Sequence, residues 1–382
     1  MELKPRIVHV FNSSVVSGPE TLVLPAINEL GEPAAVLFLK EVRKLAAAQD
    51  PIEYAKNLQL KFFEILVRSR VDLRTILDIR KFLKKEKVLL LHAHDVKAST
   101  YVLLASLGLP VKLVSTHHGV FGRPDWKTKL FERFYSKFIL PFYDAVISVS
   151  TVDFLELERR GLPVNRLQLI FNGATRQKVS PDNRKLQQEK IRTSWGLDLS
   201  NVFVIGVVGR LSQEKRCDRI LQVLKHLSVS KPEFKVLFFG KGIQEAALKE
   251  QVASLGLQDQ VRWMGYSDSI KDELAGFDLL LSLSDAEGMP IVMIESGWAG
   301  TPVFSTAVGG VMDLIPSNEF GFTVPWSLTE EAIAKKLLFA MENEAIRKNV
   351  GENFQNRVSQ EFSRETWLKK HRDLYRKQLD NV

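Results

Sequence analysis

The sequence predicts two doubly wound α/β units in tandem, each a parallel sheet covered by helices. Three observations predict this. Short apolar runs of strand length alternate with longer amphipathic stretches along the whole chain. Several of these runs end in glycine-containing or small polar loops that lead into a helix, as parallel strands joined by crossovers require. The length, 382 residues, exceeds one ordinary core and suits two.

In the first half, strands are expected at 7–11, 35–39, 88–92, 112–115, 145–149 and 167–170. In the second they are expected at 202–208, 235–239, 261–264, 279–283, 303–305 and 322–324. Between the halves, the polar stretch 175–193 reads as a linker plus the first exposed helix of the second unit. Near the end, Trp367, Leu368, Leu374, Tyr375 and Leu379 recur at three-and-four spacing, which predicts a last helix over 365–379. The expected organisation is a first domain over 1–172, a linker and helix over 173–200, a second domain over 201–360 and a final segment over 361–382.

Composition narrows the class. Hydrophobic residues make up 45% and charged ones 26%, as in ordinary globular chains. The one cysteine, Cys217, rules out an internal disulfide and fits a reducing compartment. Residues 1–5 lead directly into a strand without the apolar core of a signal peptide, and no apolar run reaches the ~20 residues of a membrane span. A cytoplasmic protein, soluble or peripheral on the inner face of the membrane, is expected.

The net charge of +8 is uneven: residues 1–172 carry 25 Lys+Arg against 18 Asp+Glu, the remainder 28 against 27. Two basic segments, 68–87 and 123–137, supply much of the excess, and the second interleaves Trp126, Phe131, Phe134, Tyr135 and Phe138. That mixture suits an interfacial helix on anionic lipid, and equally a helix that buries aromatics against a sheet and exposes lysines. No nucleic-acid motif accompanies the charge, so nucleic acid is not expected as a partner.

The chemistry-bearing residues cluster at strand exits. Glu287 and Glu295 stand eight apart across Gly288-Met289-Pro290 and the start of an expected helix, with Pro290 suited to its first turn. Two carboxylates near a helix N-terminus that attracts anions suit a ligand with both hydroxyls and phosphates, as a sugar nucleotide has. After the strand at 202–208, Gly209-Arg210-Leu211-Ser212-Gln213-Glu214-Lys215 puts Arg210 and Lys215 on one loop, a clamp for a diphosphate. The later Gly240-Lys241-Gly242 reads as a tight turn.

In the first half, Ser17-Gly18-Pro19-Glu20 follows strand one, and Gly18 would let a phosphate or sugar approach the backbone. His92 and His94, then His117 and His118, place four of the seven histidines at two neighbouring loops. Asp95 is the only acidic residue beside them and no Asp-x-Asp occurs anywhere, so no metal is expected; stabilisation of a leaving group by Arg210 and Lys215 is the better account.

Together these motifs resemble the retaining glycosyltransferase family 4, of the GT-B fold. The likeness rests on Gly18-Pro19-Glu20, His92-Ala93-His94-Asp95, Thr116-His117-His118-Gly119, Phe171-Asn172-Gly173, Gly209 to Lys215, Glu287 to Glu295 and Gly309-Gly310-Val311, in the family's order over nearly the whole chain. It implies two Rossmann-like domains facing across a cleft, with a nucleoside-diphosphate sugar as donor, held mainly by the second, and no cofactor. It further implies that Arg210 and Lys215 bind the diphosphate, Glu295 the ribose hydroxyls and Glu287 the transferred sugar, with Gly288, Met289 and Pro290 alongside. Position within the motif selects His118 over His117 as the catalytic histidine near the reacting carbon. The last helix in such proteins often crosses back to the first domain.

The expected activity is transfer of a hexose-type sugar, with retention, to a carbohydrate or lipid-linked acceptor in the synthesis of cell-surface polysaccharide, lipopolysaccharide or glycolipid. Rival readings are a sugar-nucleotide 2-epimerase or a pyridoxal-phosphate phosphorylase of the same fold, a dehydrogenase, and a non-catalytic sugar-nucleotide-binding protein. The dehydrogenase reading lacks a Gly-x-Gly-x-x-Gly after strand one.

Overall fold

The computed structural model describes residues 5–12, 15–41, 50–69, 72–119, 126–175, 184–196, 202–230 and 233–380. It divides into two compact units, Met1–Gly173 with Arg364–Val382, and Ala174–Ser363. Residues 176–183 and 197–200 of the expected linker and helix lie outside the described residues, as do 70–71 of the first basic segment, 123–125 of the second and the side chains at 126–131.

The first unit is a seven-stranded sheet: β1 (Ile7–Phe11), β2 (Ala34–Glu41), β3 (Phe62–Val67), β4 (Leu90–Ala93), β5 (Lys112–His117), β6 (Ala145–Ser148) and β7 (Leu167–Leu169). All neighbours pair in parallel, in the order β3-β2-β1-β4-β5-β6-β7. β1 is buried along its whole length, as a central strand covered on both faces must be. Val8 and Val10 point into one core with Leu37, Leu91 and Ile79, so His9, between them, points to the opposite face.

The second unit is a six-stranded parallel sheet: β8 (Phe203–Val208), β9 (Phe234–Phe239), β10 (Val261–Gly265), β11 (Leu279–Ser282), β12 (Val303–Thr306) and β13 (Phe322–Val324). Its order is β10-β9-β8-β11-β12-β13. The helices Cys217–Ser230 and Glu330–Glu342 share one core with these strands, through Leu221, Leu224, Ile333 and Leu337. In each sheet the strand order reverses direction once, at β1/β4 and at β8/β11. Loops leaving the carboxyl ends at such a switch part to opposite faces and open a crevice, so ligand chemistry belongs there.

The expected strands are all present, with ends shifted by up to two residues. One strand, β3, is not in the sequence reading. Its sequence, Phe62-Phe63-Glu64-Ile65-Leu66-Val67, is mostly apolar but broken by Glu64, and at the sheet's edge all of it except Val67 stays at least partly exposed. Pro290 also sits one step earlier than expected: it is the N-cap of the helix Ile291–Trp298, with φ −72° and ψ 109°, so the helix proper begins after it.

The helix Arg364–Leu379 belongs to the first unit. Tyr375 donates to or accepts from His92 Nδ1 across 2.6 Å, and Arg364 pairs with Glu29 at 2.7 Å. Among the described residues no helix is long and apolar enough to cross a membrane.

Candidate active site

At the second unit's switch point, two loops are stitched together. Asp285 does most of the stitching. Its N–H donates to Glu214 O at 2.9 Å, and its carboxylate accepts from Arg216 at 3.0 Å and from the Trp326 indole at 2.7 Å. Arg216 holds a left-handed backbone, φ 48°, which turns the chain from the 209–215 loop into the helix Cys217–Ser230.

Lys215 and Glu287 then meet. The ammonium donates to both carboxylate oxygens, at 2.7 and 3.0 Å, and Oε1 also accepts from Ser284 Oγ at 2.6 Å. The Glu287 side chain is 8% exposed and that of Lys215 24%, so the pair sits at the edge of solvent. Arg210, by contrast, is 57% exposed and touches Glu214 at 3.2 Å. An ammonium has three N–H groups and a guanidinium five, so both cations keep donors for an anion. A pocket between them is lined by Gly209, Arg210, Lys215, Ser282 and Ser284.

Glycines make this packing possible. A Cβ on Gly309, where φ is +49°, would stand 1.8 Å from Glu287 O, and one on Gly310 would stand 1.9 Å from Gly288 O. No side chain fits either gap. Gly240 has the same function for the neighbouring loop: its missing Cβ would stand 1.9 Å from Gly209 O, so the Gly240-Lys241-Gly242 turn is a seat for the Arg210 loop.

Glu287 and Glu295, which the resemblance assigns to different parts of the donor, each face their own lysine, Lys215 and Lys271. Glu295 is the fifth residue of its helix, 8% exposed, with Lys271 at 3.4 Å. Burial raises its pKa above the ordinary glutamate value, and Lys271 only partly offsets that. Met289 and Pro290 are buried beneath the loop, and Gly288 is partly exposed beside them.

In the first unit, Gly18 opens the short helix Gly18–Val23. Glu20 closes a capping box: its carboxylate accepts from Ser17 N–H at 2.9 Å and Ser17 Oγ at 2.7 Å. Asp95 ties the exits of β1 and β4 together by accepting from Asn12 N–H at 2.7 Å and Ala98 N–H at 2.8 Å.

The histidines are placed differently from the expectation. His92 lies within β4 and His117 ends β5, both buried, so only His94 and His118 stand on loops. His117 faces Asp153 at 3.8 Å. His9, the registered neighbour of His92, and His371 on the last helix join the cluster, and the sequence reading named neither. Burial holds His9 and His118 down at about 3 and His371 at about 4, and puts His92 and His94 well below the ordinary value.

His9, His92 and His94 bring ligand-type nitrogens within 4.8 Å of one another. They do not make a good cation site. His92 spends both nitrogens on Tyr375 OH and Thr116 Oγ1, at 2.6 and 2.7 Å, and His94 spends both on His9 and His118. Among the described residues no carboxylate joins the three to balance a buried double charge.

Two parallel doubly wound units, the second with cations and a carboxylate at its switch point, fit a GT-B type sugar-transfer enzyme, and the family and fold likenesses agree. Residues 187–357 match the family described as Glycosyl transferases group 1, and residues 35–178 match Glycosyltransferase Family 4. The chain belongs to glycosyltransferase family 4 and has the GT-B fold.

Among curated relatives, N-acetyl-alpha-D-glucosaminyl L-malate synthase of Bacillus anthracis is 22% identical over 85% of this chain and 84% of its own. The GalNAc-alpha-(1->4)-GalNAc-alpha-(1->3)-diNAcBac-PP-undecaprenol alpha-1,4-N-acetyl-D-galactosaminyltransferase of Campylobacter jejuni is 26% identical over 81% of this chain and 82% of its own. Among solved structures, Anabaena HepE in complex with UDP-glucose superposes with a TM-score of 0.82 at 20% identity, over 97% of this chain and 99% of that one.

Proposed function

We propose that the enzyme transfers a hexose-type sugar from a nucleoside-diphosphate sugar to an acceptor hydroxyl, with retention at the anomeric carbon and without a metal ion. The observation that carries the reading is the Lys215–Glu287 contact with Arg210 exposed beside it, at a switch point where diphosphates bind in this architecture. Arg210 and the remaining N–H of Lys215 hold the diphosphate, each charge-assisted hydrogen bond contributing about 1.5–3 kcal/mol. Glu287 orients Lys215 and accepts from a hydroxyl of the transferred sugar. Glu295 accepts from the ribose hydroxyls, and Gly288, Met289 and Pro290 carry the loop that fits the sugar. His118 donates to the sugar near the reacting carbon, and Gly18 leaves the backbone open to it.

In the reaction the bond from the anomeric carbon to the phosphate oxygen breaks and a bond to the acceptor oxygen forms on the same face. The departing phosphate oxygen takes the acceptor's proton, so no separate base is needed. The acceptor is a carbohydrate or lipid-linked saccharide of cell-surface polysaccharide, lipopolysaccharide or glycolipid synthesis; the Campylobacter relative, named for a saccharide carried on PP-undecaprenol, supports the lipid-linked form. The basic first unit brings the enzyme to an anionic membrane surface; Phe134, Phe138 and Phe142 are half or more exposed beside exposed Arg133 and Lys137.

The test begins with a thermal-shift screen of UDP-, GDP- and ADP-sugars, then measures nucleoside-diphosphate release against an acceptor panel and reads the anomeric configuration of the product. R210A and K215A should each lose about 10²-fold in kcat with the fold intact. Near-wild-type rates in both, or an inverted product, overturn the reading. Loss of activity on adding a chelator overturns its metal-free part.

A further inference from the structure

His118 is the end of a chain of hydrogen-bonded imidazoles. His94 Nδ1 lies 3.3 Å from His118 Nε2, and His94 Nε2 lies 2.9 Å from His9 Nδ1. The other nitrogen of His9, Nε2, is buried with no partner among the described residues. Burial keeps these rings neutral, and a neutral imidazole carries one N–H.

These facts fix the direction of every bond. A buried N–H without an acceptor is rarer and costlier than a bare acceptor without a donor. The His9 proton therefore sits on Nδ1 and is donated to His94 Nε2. That nitrogen being an acceptor, the His94 proton sits on Nδ1 and is donated to His118 Nε2. The His118 proton must then be on Nδ1, the nitrogen left for a ligand.

The middle ring has little freedom. Phe11 stacks on His94 at 4.3 Å and 6°, and His92, pinned at both nitrogens, lies 4.2 Å away. We infer that His94 is a positioning residue which, backed by His9, sets the tautomer of His118 so that this histidine presents an N–H donor to the transferred sugar. The N–H suits a hydroxyl oxygen of the sugar, which a bare imidazole nitrogen would meet only as an acceptor. The inference rests on the reading of His118 as the sugar contact, but the tautomer itself can be read without any substrate.

The experiment is a two-bond proton–nitrogen correlation on the full-length protein labelled with nitrogen-15 histidine, with His118 assigned through H118Q. The expected wild-type spectrum shows His118 protonated at Nδ1 and bare at Nε2. Two variants separate positioning from packing, because an asparagine amide falls where Nδ1 stood and a glutamine amide where Nε2 stood. H94N keeps a donor toward His118 and should keep its tautomer, with kcat within about threefold of wild type. H94Q keeps the contact to His9 only; His118 should become a mixture of tautomers and kcat should fall about tenfold, the equivalent of about 1.4 kcal/mol, with KM for the donor little changed.

A wild-type His118 protonated at Nε2 overturns the inference, and so does H94Q with an unchanged tautomer and rate. Should H94Q fail to fold, the wild-type and H94N spectra still decide. Should the wild-type enzyme transfer no sugar, the proposed function falls while the tautomer result stands or fails on its own.

Discussion

At Glu295 the proposed binding role would oppose stability at a single residue. Its carboxyl is buried, and desolvation raises its pKa despite Lys271 at 3.4 Å. A carboxyl with a raised folded-state pKa contributes most below the unfolded value, about 4.3, and loses that contribution as pH rises through the folded value. The ionised form is thus a cost the empty enzyme carries near neutral pH, and ribose hydroxyls would relieve it by hydrogen bonding. E295Q, which has no charge to bury, should melt above wild type near neutral pH, and the two melting temperatures should converge toward about pH 4. In the same variant donor affinity should drop about tenfold, since one charged hydrogen-bond acceptor is lost. Calorimetry over the pH range, with and without donor, checks both signs. A variant that melts below wild type near neutral pH contradicts the account.

Between loops, backbone contact with no room for a methyl group sets the geometry. Gly310 lets its strand exit lie against Gly288 O, and Gly309 lets it lie against Glu287 O, so the carboxylate that grips Lys215 is aimed from behind by two glycines. G310A puts a Cβ 1.9 Å from a backbone oxygen that has no rotamer to escape with. It should cost about 1–3 kcal/mol and, by shifting the 285–290 loop, lower kcat/KM for the donor at least about tenfold. Gly256 supplies the control: it ends the helix Glu245–Leu255 with φ +68° and has nothing within 4 Å, so G256A should lose about 1 kcal/mol and leave transfer unchanged. Urea unfolding and steady-state kinetics on both variants separate strain from misplacement; equal kinetic losses would refute the aiming role.

Elements of this kind were legible to different degrees. Central strands such as β1 and β8 announce themselves because burial on both faces demands a predominantly apolar run, whereas the edge strand β3, broken by Glu64 and partly exposed, escapes notice. The loop motifs at 209–215 and 287–295 are contiguous, so their residue types stand out. Their partners are not contiguous: Asp285 to Trp326 spans 41 residues and His92 to Tyr375 spans 283. Such pairs depend on strand order, which no local pattern carries. His9 was hidden for the same reason, since only the β1–β4 register sets it against His92.

For the whole molecule, the return of the last helix sharpens the charge asymmetry. Counted with Arg364–Val382, the first unit holds 31 Lys+Arg and 21 Asp+Glu, a net +10, and the second unit holds 22 and 24, a net −2. Such a difference gives the protein an electrostatic polarity that acts before any contact is made. An anionic bilayer would orient the enzyme with the first unit toward it, and Phe134, Phe138 and Phe142, exposed on the segment that also carries Arg133 and Lys137, would add apolar anchoring once there. Electrostatic attraction and apolar insertion respond differently to salt. The screening length falls from about 10 Å at 0.1 M to about 3 Å at 1 M, so attraction fades while insertion persists. The full chain should therefore sediment with vesicles containing phosphatidylserine at low salt, release most of its bound fraction at about 1 M, and bind purely neutral vesicles only to the small extent that survives high salt. R133E combined with K137E should weaken binding at low salt by about thirtyfold or more, since each lysine or arginine removed at the surface costs near 1 kcal/mol. F138S should instead lower the fraction that survives high salt. Equal sedimentation with neutral and anionic vesicles would show that the +10 unit serves a soluble anionic partner, and the membrane reading would be abandoned.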